Sequence, residues 1–169
     1  MKYTIQKSTL ADLSVILGLR DQAREIMRSY GNVYQWPDGY PPDERFVNDI
    51  KCGGSHVMLD EKGEIVGTFA LLPSPEVTYN KIYNGQWLDD APYHVIHRIA
   101  SKPNSHGILD ALLDYCESRV SNIRIDTHEA NIIMRKGLEK HGYRYCGIIY
   151  LLDGNERLAF QKRLNQYSQ

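Results

Sequence analysis

The sequence predicts an α/β fold: a mixed, mostly antiparallel central sheet of six to seven strands flanked by about four helices. Short segments with strand-like patterns alternate with amphipathic segments of helical period, and clusters of glycine and proline separate them. The helical segments also begin and end at residues typical of helix caps. The chain has 169 residues, of which 42% are hydrophobic, and this favours a single domain over residues 1–169 with its own core.

The N-terminal third is predicted to hold one strand and two helices. Residues 3–7 alternate Tyr and Ile with Thr and Gln, as a half-buried strand does. Thr9 and Asp12 have the spacing of a capping box, and a long amphipathic helix follows. Prolines make residues 32–42 an aromatic-rich loop, and residues 43–50 a short second helix. The apolar stripe of the first helix consists of Ile16, Leu19, Ala23, Ile26 and Tyr30, and Leu13 and Met27 widen it.

The middle third is predicted to be a hairpin, a loop and a central strand. Residues 56–59 and 65–72 are apolar and flank the turn Asp-Glu-Lys-Gly at 60–63, so they form the two hairpin strands. Residues 76–90 are polar but rich in aromatics, which predicts a second long loop. Residues 93–100 are apolar enough for a central strand.

The C-terminal third alternates helices and strands. Residues 109–116 place Leu and Cys at helical spacing, and residues 123–127 form the next strand. Asn131 suits the N-cap of another helix, which Gly142 ends. The element order is therefore β-α-α-β-β-β-α-β-α-β-β, typical of one layered α/β domain. The last two strands are predicted over residues 145–151 and 157–164.

Composition excludes several classes of function. The formal net charge of −1 gives no basic surface for a nucleic acid or an anionic membrane. No apolar run approaches the roughly 20 residues of a membrane span, and the polar N-terminus does not have the pattern of a signal peptide. The three cysteines have no disulfide or zinc spacing, so we expect no metal. A cytoplasmic protein is the expectation.

The stretch from His97 to Tyr150 resembles the GNAT superfamily of acyl-CoA-dependent N-acyltransferases. The resemblance lies in HRIAS-x-P before a Gly-bearing helix start, and in Asn-x10-Gly-Tyr after the next strand. It implies acetyl-CoA as cosubstrate, with strand backbone pairing to the pantetheine amides and a helix N-terminus binding the pyrophosphate. The implied cofactor-binding residues are Ile99, Ala100, Ser101, Asn104, Ser105, His106, Gly107, Ile108, Leu109 and Asn131.

Two positions depart from the pattern of the family. The pyrophosphate loop of the family usually reads R/Q-x-x-G-x-G/A, whereas this shorter loop has Asn104 in the Arg/Gln position and Leu109 in the last small position. Weaker binding of coenzyme A, or a shifted pyrophosphate, is expected. The family often carries its general acid as a Tyr seven residues after the Asn, and Leu138 occupies that position. Water or one of four side chains would then protonate the leaving thiolate: Tyr143, Tyr145, Tyr150 or Cys146.

The catalytic and acceptor sites follow from the residues beside the implied thioester. His97 is the candidate general base or proton relay, because a histidine pKa near 6.5 suits that role, although a histidine in a strand is commonly structural. Asp126 and Thr127 end a strand where ligand sites gather, or else cap the following turn. The aromatic side chains of the two long loops either line an acceptor pocket, cover the core or form a dimer contact. The acceptor-site candidates among them are Tyr34, Trp36, Tyr79, Tyr83 and Trp87.

The resulting hypothesis is an N-acetyltransferase acting on a primary amine of a small molecule or peptide by direct attack in a ternary complex. A non-catalytic acyl-CoA-binding or sensing module on the same fold is the first alternative, favoured by the altered loop and by Leu138. The second alternative is an α/β interaction protein whose aromatic loops bind a partner protein.

Overall fold

Seven strands and four helices make up the computed structural model, which describes residues 2–165. The strands are β1 (Thr4–Lys7), β2 (Ser55–Leu59), β3 (Ile65–Pro73), β4 (His94–Ser101), β5 (Asn122–Thr127), β6 (Arg144–Tyr150) and β7 (Glu156–Arg163). The helices are α1 (Leu13–Ser29), α2 (Asp43–Lys51), α3 (Ile108–Glu117) and α4 (Ile132–Lys140), with 3-10 turns at Leu10–Asp12 and Val77–Tyr79. The predicted fold class and element order are confirmed, and most bounds differ by about one residue, the usual ambiguity of element ends.

The strands form one sheet in the order β1-β2-β3-β4-β5-β7-β6. Every neighbouring pair is antiparallel except β4 and β5, which run parallel and are joined by the crossover through α3. The parallel ladder is short: only His94 with Ile123 and Val95 with Arg124 are in register. Beyond these two pairs the strands diverge, so a gap opens in the middle of the sheet.

The sheet separates two layers of helices. Leu112 and Leu113 of α3 and Leu138 of α4 are fully buried in one cluster, which includes Ile96 of β4. On the opposite face, α1 packs against Ala100 of the same strand. Ile96 and Ala100 are four residues apart and would share one face of a regular strand, so a bulge between them is what turns Ala100 toward the opposite core.

The first helix differs from its predicted pattern at its C-terminal end. The buried residues of α1 include Met27 in place of Ile26, which is half-buried, and Tyr30 is 36% exposed. Met27 is covered because the loop after the helix folds back and packs Trp36 against it. Met27, predicted at the side of the apolar stripe, is therefore more buried than Ile26 and Tyr30 of the stripe itself.

A bulge interrupts β4 where it leaves β5. Thr68 pairs with Ala100 but Ala70 pairs with His97, so β4 carries one residue more than β3 at this point. Arg98 lies in the bulge with a φ of 54°, a left-handed conformation that is unfavourable for a residue with a side chain. Its guanidinium donates from Nε and NH2 to the two carboxylate oxygens of Asp49 on α2, at 2.5 and 2.7 Å.

The Arg98–Asp49 ion pair is expected to hold the bulge against α2. Both side chains are largely buried, with 12% and 8% exposure, so Asp49→Ala leaves an uncompensated cation and should lower the free energy of unfolding by about 3 kcal/mol or more. Asp43→Ala is the matched control, because Asp43 is on the same helix and pairs with Arg20, but is 67% exposed. Asp43→Ala should lower the free energy of unfolding by less than about 1 kcal/mol. Urea unfolding of both variants measures the difference, and equal losses would contradict a stabilising role for the buried pair.

Candidate active site

A concave site lies where β4 and β5 diverge. It is a cleft of about 540 Å³. Strands β4, β5 and β7 form its floor, while the loop at residues 32–42, the 3-10 turn at Val77–Tyr79 and the start of α4 form its rim. The titratable side chains that line the cleft include Glu76, His97, Asp126 and Arg157. Ligands of open α/β sheets commonly bind in such crevices at strand ends.

His97 and Glu76 form a hydrogen-bonded pair in the wall of the cleft. Nε2 of His97 lies 3.0 Å from Oε1 of Glu76, and Oε2 of Glu76 accepts from the N–H of Thr78 at 2.9 Å. The hydrogen bond from His97, followed by those from Thr78, holds the pKa of Glu76 down at about 2. With Glu76 ionised, His97 donates its Nε2–H, and in the neutral imidazole Nδ1 is the nitrogen that accepts a proton.

Tyr79 supports the same site from below. Its hydroxyl donates to Oδ2 of Asp126 at 2.6 Å, and its ring centroid lies 6.1 Å from that of His97. Tyr79 is only 1% exposed, and burial raises its pKa well above the ordinary value, so the hydroxyl keeps its proton. Trp87 donates its indole N–H to the Tyr79 carbonyl at 3.0 Å. These bonds fix the orientation of Asp126 toward the cleft.

Gln35 ties the loop of residues 32–42 to the start of α4. Its Oε1 accepts from Nδ2 of Asn131 at 3.0 Å and from the hydroxyl of Thr127 at 3.3 Å. Asn131 is at the same time the predicted N-cap, because its Oδ1 accepts from the N–H of Met134 at 3.2 Å. The sequence carries no signal for Gln35, since only the fold brings it to these partners.

The predicted cofactor residues divide between the cleft and its surroundings. Ile99 and Asn131 line the cleft, whereas Ala100 is buried beside α1 and Ser101 is half-buried. Residues 104–109 lie outside the cleft wall and lead into α3. Gly107 is the N-cap of α3, with a left-handed φ of 73°.

The backbone at the start of α3 leaves donors without helical partners. The N–H of Ala111 makes the first intrahelical bond, to the carbonyl of Gly107 at 3.0 Å, so the N–H groups of residues 108–110 precede the helical ladder. The preceding loop is held by Tyr3, which donates to the carbonyl of His106 at 2.5 Å. The cofactor roles of Asn104, Ser105, His106, Ile108 and Leu109 stay predictions.

Of the five aromatic residues predicted for the acceptor site, Trp36 lines the cleft and Tyr79 lies beneath it. The others face elsewhere. Tyr34 is 60% exposed and stacks on His128. Tyr83 pairs with the edge strand β6 at Ile148, and Trp87 stacks over the guanidinium of Arg124. Their substrate roles also stay predictions.

The alternative general acids lie away from the cleft. Leu138 is fully buried, and the hydroxyl of Tyr143 donates to Glu117 at 3.3 Å. Burial raises the pKa values of Tyr143 and Cys146. Among the residues that the structure describes, none of the four candidates lines the cleft, and Tyr40 is the one tyrosine that does. The four are Tyr143, Tyr145, Tyr150 and Cys146.

Two further observations concern residues 2–165 as a whole. No helix in this range combines the length and the apolar character needed to cross a membrane. The same range contains no cluster of three or more His, Cys, Asp and Glu side chains arranged to hold a metal ion.

Solved structures share this fold. No family model and no curated protein matches the sequence. A GNAT-family acetyltransferase from Streptococcus agalactiae has a TM-score of 0.87 and 32% identity, over 97% of this chain and 96% of that chain. A GNAT-family acetyltransferase from Listeria monocytogenes has a TM-score of 0.70 and 20% identity over 96% and 95%. A phosphinothricin acetyltransferase from Sinorhizobium meliloti, in complex with AcCoA, has a TM-score of 0.62 and 18% identity over 98% and 90%. The last two comparisons concern the fold alone.

The His97–Glu76 pair should make stability depend on pH in the acid range. Because the pKa of Glu76 falls from 4.5 to about 2 on folding, its contribution is complete above pH 4.5 and is lost as the pH falls toward 2. As the pH falls from 5 to 3, the free energy of unfolding of Glu76→Gln should therefore decrease by roughly 1–2 kcal/mol less than that of the wild type. Urea unfolding across this range measures it. Glu64→Gln is the control, since Glu64 is 63% exposed, and an unchanged slope in Glu76→Gln would contradict the assignment.

Proposed function

The chain belongs to the GNAT acetyltransferase family, and we propose that it transfers an acetyl group from acetyl-CoA to a primary amine by direct attack in a ternary complex. The observation that carries the proposal is the divergence of β4 from β5 directly beside the His97–Glu76 pair. A thioester bound in that gap has an open strand edge along its length and a proton acceptor at its reactive end.

The open edge of β4 suits the pantetheine arm of the cofactor. Ala100 and Ser101 pair with Thr68 and Gly67 of β3 on one edge, while the edge toward β5 has no registered partner beyond Val95. An extended group that carries amides can add to such an edge as an extra strand. In the proposal, the backbone of residues 99–101 therefore binds the pantetheine.

The pyrophosphate is assigned to the start of α3. The N–H groups of residues 108–110 and the positive end of the helix dipole attract an anion without any net positive charge on the protein. Gly107 leaves open space at this point, because a Cβ built there meets no atom within 4 Å. Asn104 provides no cation, so the proposal relies on the backbone.

The chemistry follows from the geometry of His97. The amine nitrogen attacks the thioester carbonyl carbon, an N–C bond forms, and the amine proton passes to Nδ1 of His97, directly or through a water. Collapse of the tetrahedral intermediate breaks the C–S bond and expels the CoA thiolate, which water protonates. Glu76 stabilises the imidazolium as a buried carboxylate does for a histidine base, and such a base contributes about 10²–10⁴-fold in rate.

Acetyl-CoA titration and thiol release against a panel of primary amines test the proposal. We expect binding and turnover with at least one amine. Binding without turnover on any amine of the panel would favour the non-catalytic acyl-CoA-binding module, and absence of binding would contradict both the enzyme and the binding module.

In the working enzyme, His97→Ala should lower the rate about 10²–10⁴-fold with little change in cofactor affinity. His94→Ala is the control, because His94 lies on the same strand and outside the cleft wall. A pH–rate profile of His97→Ala equal to that of wild type would exclude His97 as the base.

Gly107→Val should weaken binding of coenzyme A by at least about tenfold, or 1.4 kcal/mol, because its side chain would occupy the approach of the phosphates. Gly63→Val is the matched control: Gly63 also has a left-handed φ, 80°, and also has open space around its Cβ position, but it lies in the β2–β3 turn. Both variants carry similar backbone strain. Isothermal titration with coenzyme A measures the difference, and equal affinities would remove residues 104–109 from the cofactor site.

A further inference from the structure

Arg157 is a buried cation in the cleft wall that forms no ion pair with any other residue the structure describes. It is 4% exposed, and its guanidinium donates from NH2 to the carbonyl of Gln35 and from NH1 to that of Glu156, both at 3.0 Å. No carboxylate of residues 2–165 forms a salt bridge with it. Buried charges in proteins are normally paired, because desolvation of an uncompensated charge is costly.

The other arginines enclosed by the fold are compensated in ways that Arg157 is not. Arg98 has both oxygens of Asp49. Arg124 is 5% exposed and lies between the rings of Trp87 and Tyr93, with its guanidinium 4.2 and 4.0 Å from their centroids. Two aromatic faces stabilise that cation. Arg157 makes hydrogen bonds only to carbonyls. Burial lowers its pKa, and the carboxylates of Asp126 and Asp153 offset this electrostatically without forming an ion pair with it.

A guanidinium has five N–H donors, and the carbonyls of Gln35 and Glu156 account for two bonds. Donors therefore remain for a ligand. Arginine binds carboxylates in a fork-like, bidentate arrangement, and Arg157 lines the cleft from which such a group would enter. This chemistry favours a carboxylate as the missing counter-charge.

The sheet register places Arg157 beside the proposed reaction centre. Asp126 pairs with Ala159, two residues from Arg157, so Arg157 and Asp126 lie on the same face as diagonal neighbours about 7 Å apart. His97 faces the same cleft from β4, on the other side of β5. One wall therefore presents a cation, a carboxylate and a proton acceptor within the span of a small molecule. A molecule that carries both an amine and a carboxylate matches these charges.

Resting on the function proposed above, we propose that the acceptor is an amino-carboxylate, an α-amino acid or close analogue, whose carboxylate binds Arg157 while its amine points toward His97 and Asp126. The product is then the N-acetyl amino acid, which keeps its carboxylate at Arg157. Because the cation and the base lie on separate strands, the same acceptor without its carboxylate loses orientation as well as binding.

Matched acceptor pairs test this inference. The panel consists of the common L-amino acids and their carboxamides, in which a neutral amide of nearly the same shape replaces the carboxylate. For the best acceptor, kcat/KM of the acid should exceed that of the amide by at least about tenfold, and Arg157→Gln should reduce this ratio toward one. The ratio is measured within one preparation, so a partly folded variant does not change it. An amide as good as its acid, or a ratio that Arg157→Gln leaves unchanged, would overturn the inference.

A binding experiment separates this inference from the proposed activity. Isothermal titration of the corresponding N-acetyl-L-amino acids and their carboxamides, in the presence of coenzyme A, needs no turnover. The wild type should bind an acid at least about tenfold more tightly than its amide, and Arg157→Gln should remove that preference. Arg157→Lys should keep part of the preference for the acid, since the positive charge remains. Arg144→Gln is the control: Arg144 is exposed on β6, and its loss should leave the preference unchanged. No preference for the acids would overturn the inference, whether or not the enzyme turns over an amine.

Discussion

The early separation of β4 from β5 is the constraint on which the site depends. The two strands share only two registered pairs, and each is then held by its other neighbour: β4 by β3, and β5 by six pairs with β7. The Arg98–Asp49 ion pair binds the bulge of β4 to α2 at the same place. Backbone groups on the facing edges must find partners in water or in a ligand, because buried backbone donors and acceptors are almost never left unpaired.

The sheet and a buried apolar cluster hold the polar groups of the cleft in place. Tyr79, Val95, Ile149 and Ala159 form a closed apolar cluster under the 76–90 loop, and all four are almost fully buried. Glu76 begins the 3-10 turn that places Tyr79 in that cluster, so the partner of His97 is fixed by core packing. Such preorganisation lets a hydrogen-bonded base act without rearrangement of the loop.

Local patterns were sufficient to predict the elements, and they were insufficient for the partners of the site residues. Asn131 and Gly142 were predicted as helix caps because capping depends on a few adjacent residues, and the structure confirms both. The partner of His97, by contrast, lies 21 residues away on a loop, and that of Arg98 lies 49 residues away on a helix. Local sequence patterns cannot predict either contact, because the path of a loop and the register of the sheet bring the partners together.

The positions of the aromatic loop residues could not be predicted from composition either. Composition left three roles open for their rings: an acceptor pocket, a cover for the core or a dimer contact. In the structure Trp36 is buried and lines the cleft, whereas Trp87 is half-buried and stacks on Arg124 outside it. Arg157 was predicted only as the first residue of the last strand, and arginines are mostly exposed in proteins. Its burial appears once Gln35 is seen to close over it.

The leucine in the family's tyrosine position belongs to the core. Leu138 is 0% exposed within the α3-side cluster and does not line the cleft. This position of α4 therefore offers no proton donor to the cleft. The titratable side chains that line the cleft come instead from the strands, from loops and, for Arg45, from α2, among the described elements. Proton transfer in the proposed reaction therefore belongs to the sheet face that carries His97, with water serving the departing thiolate.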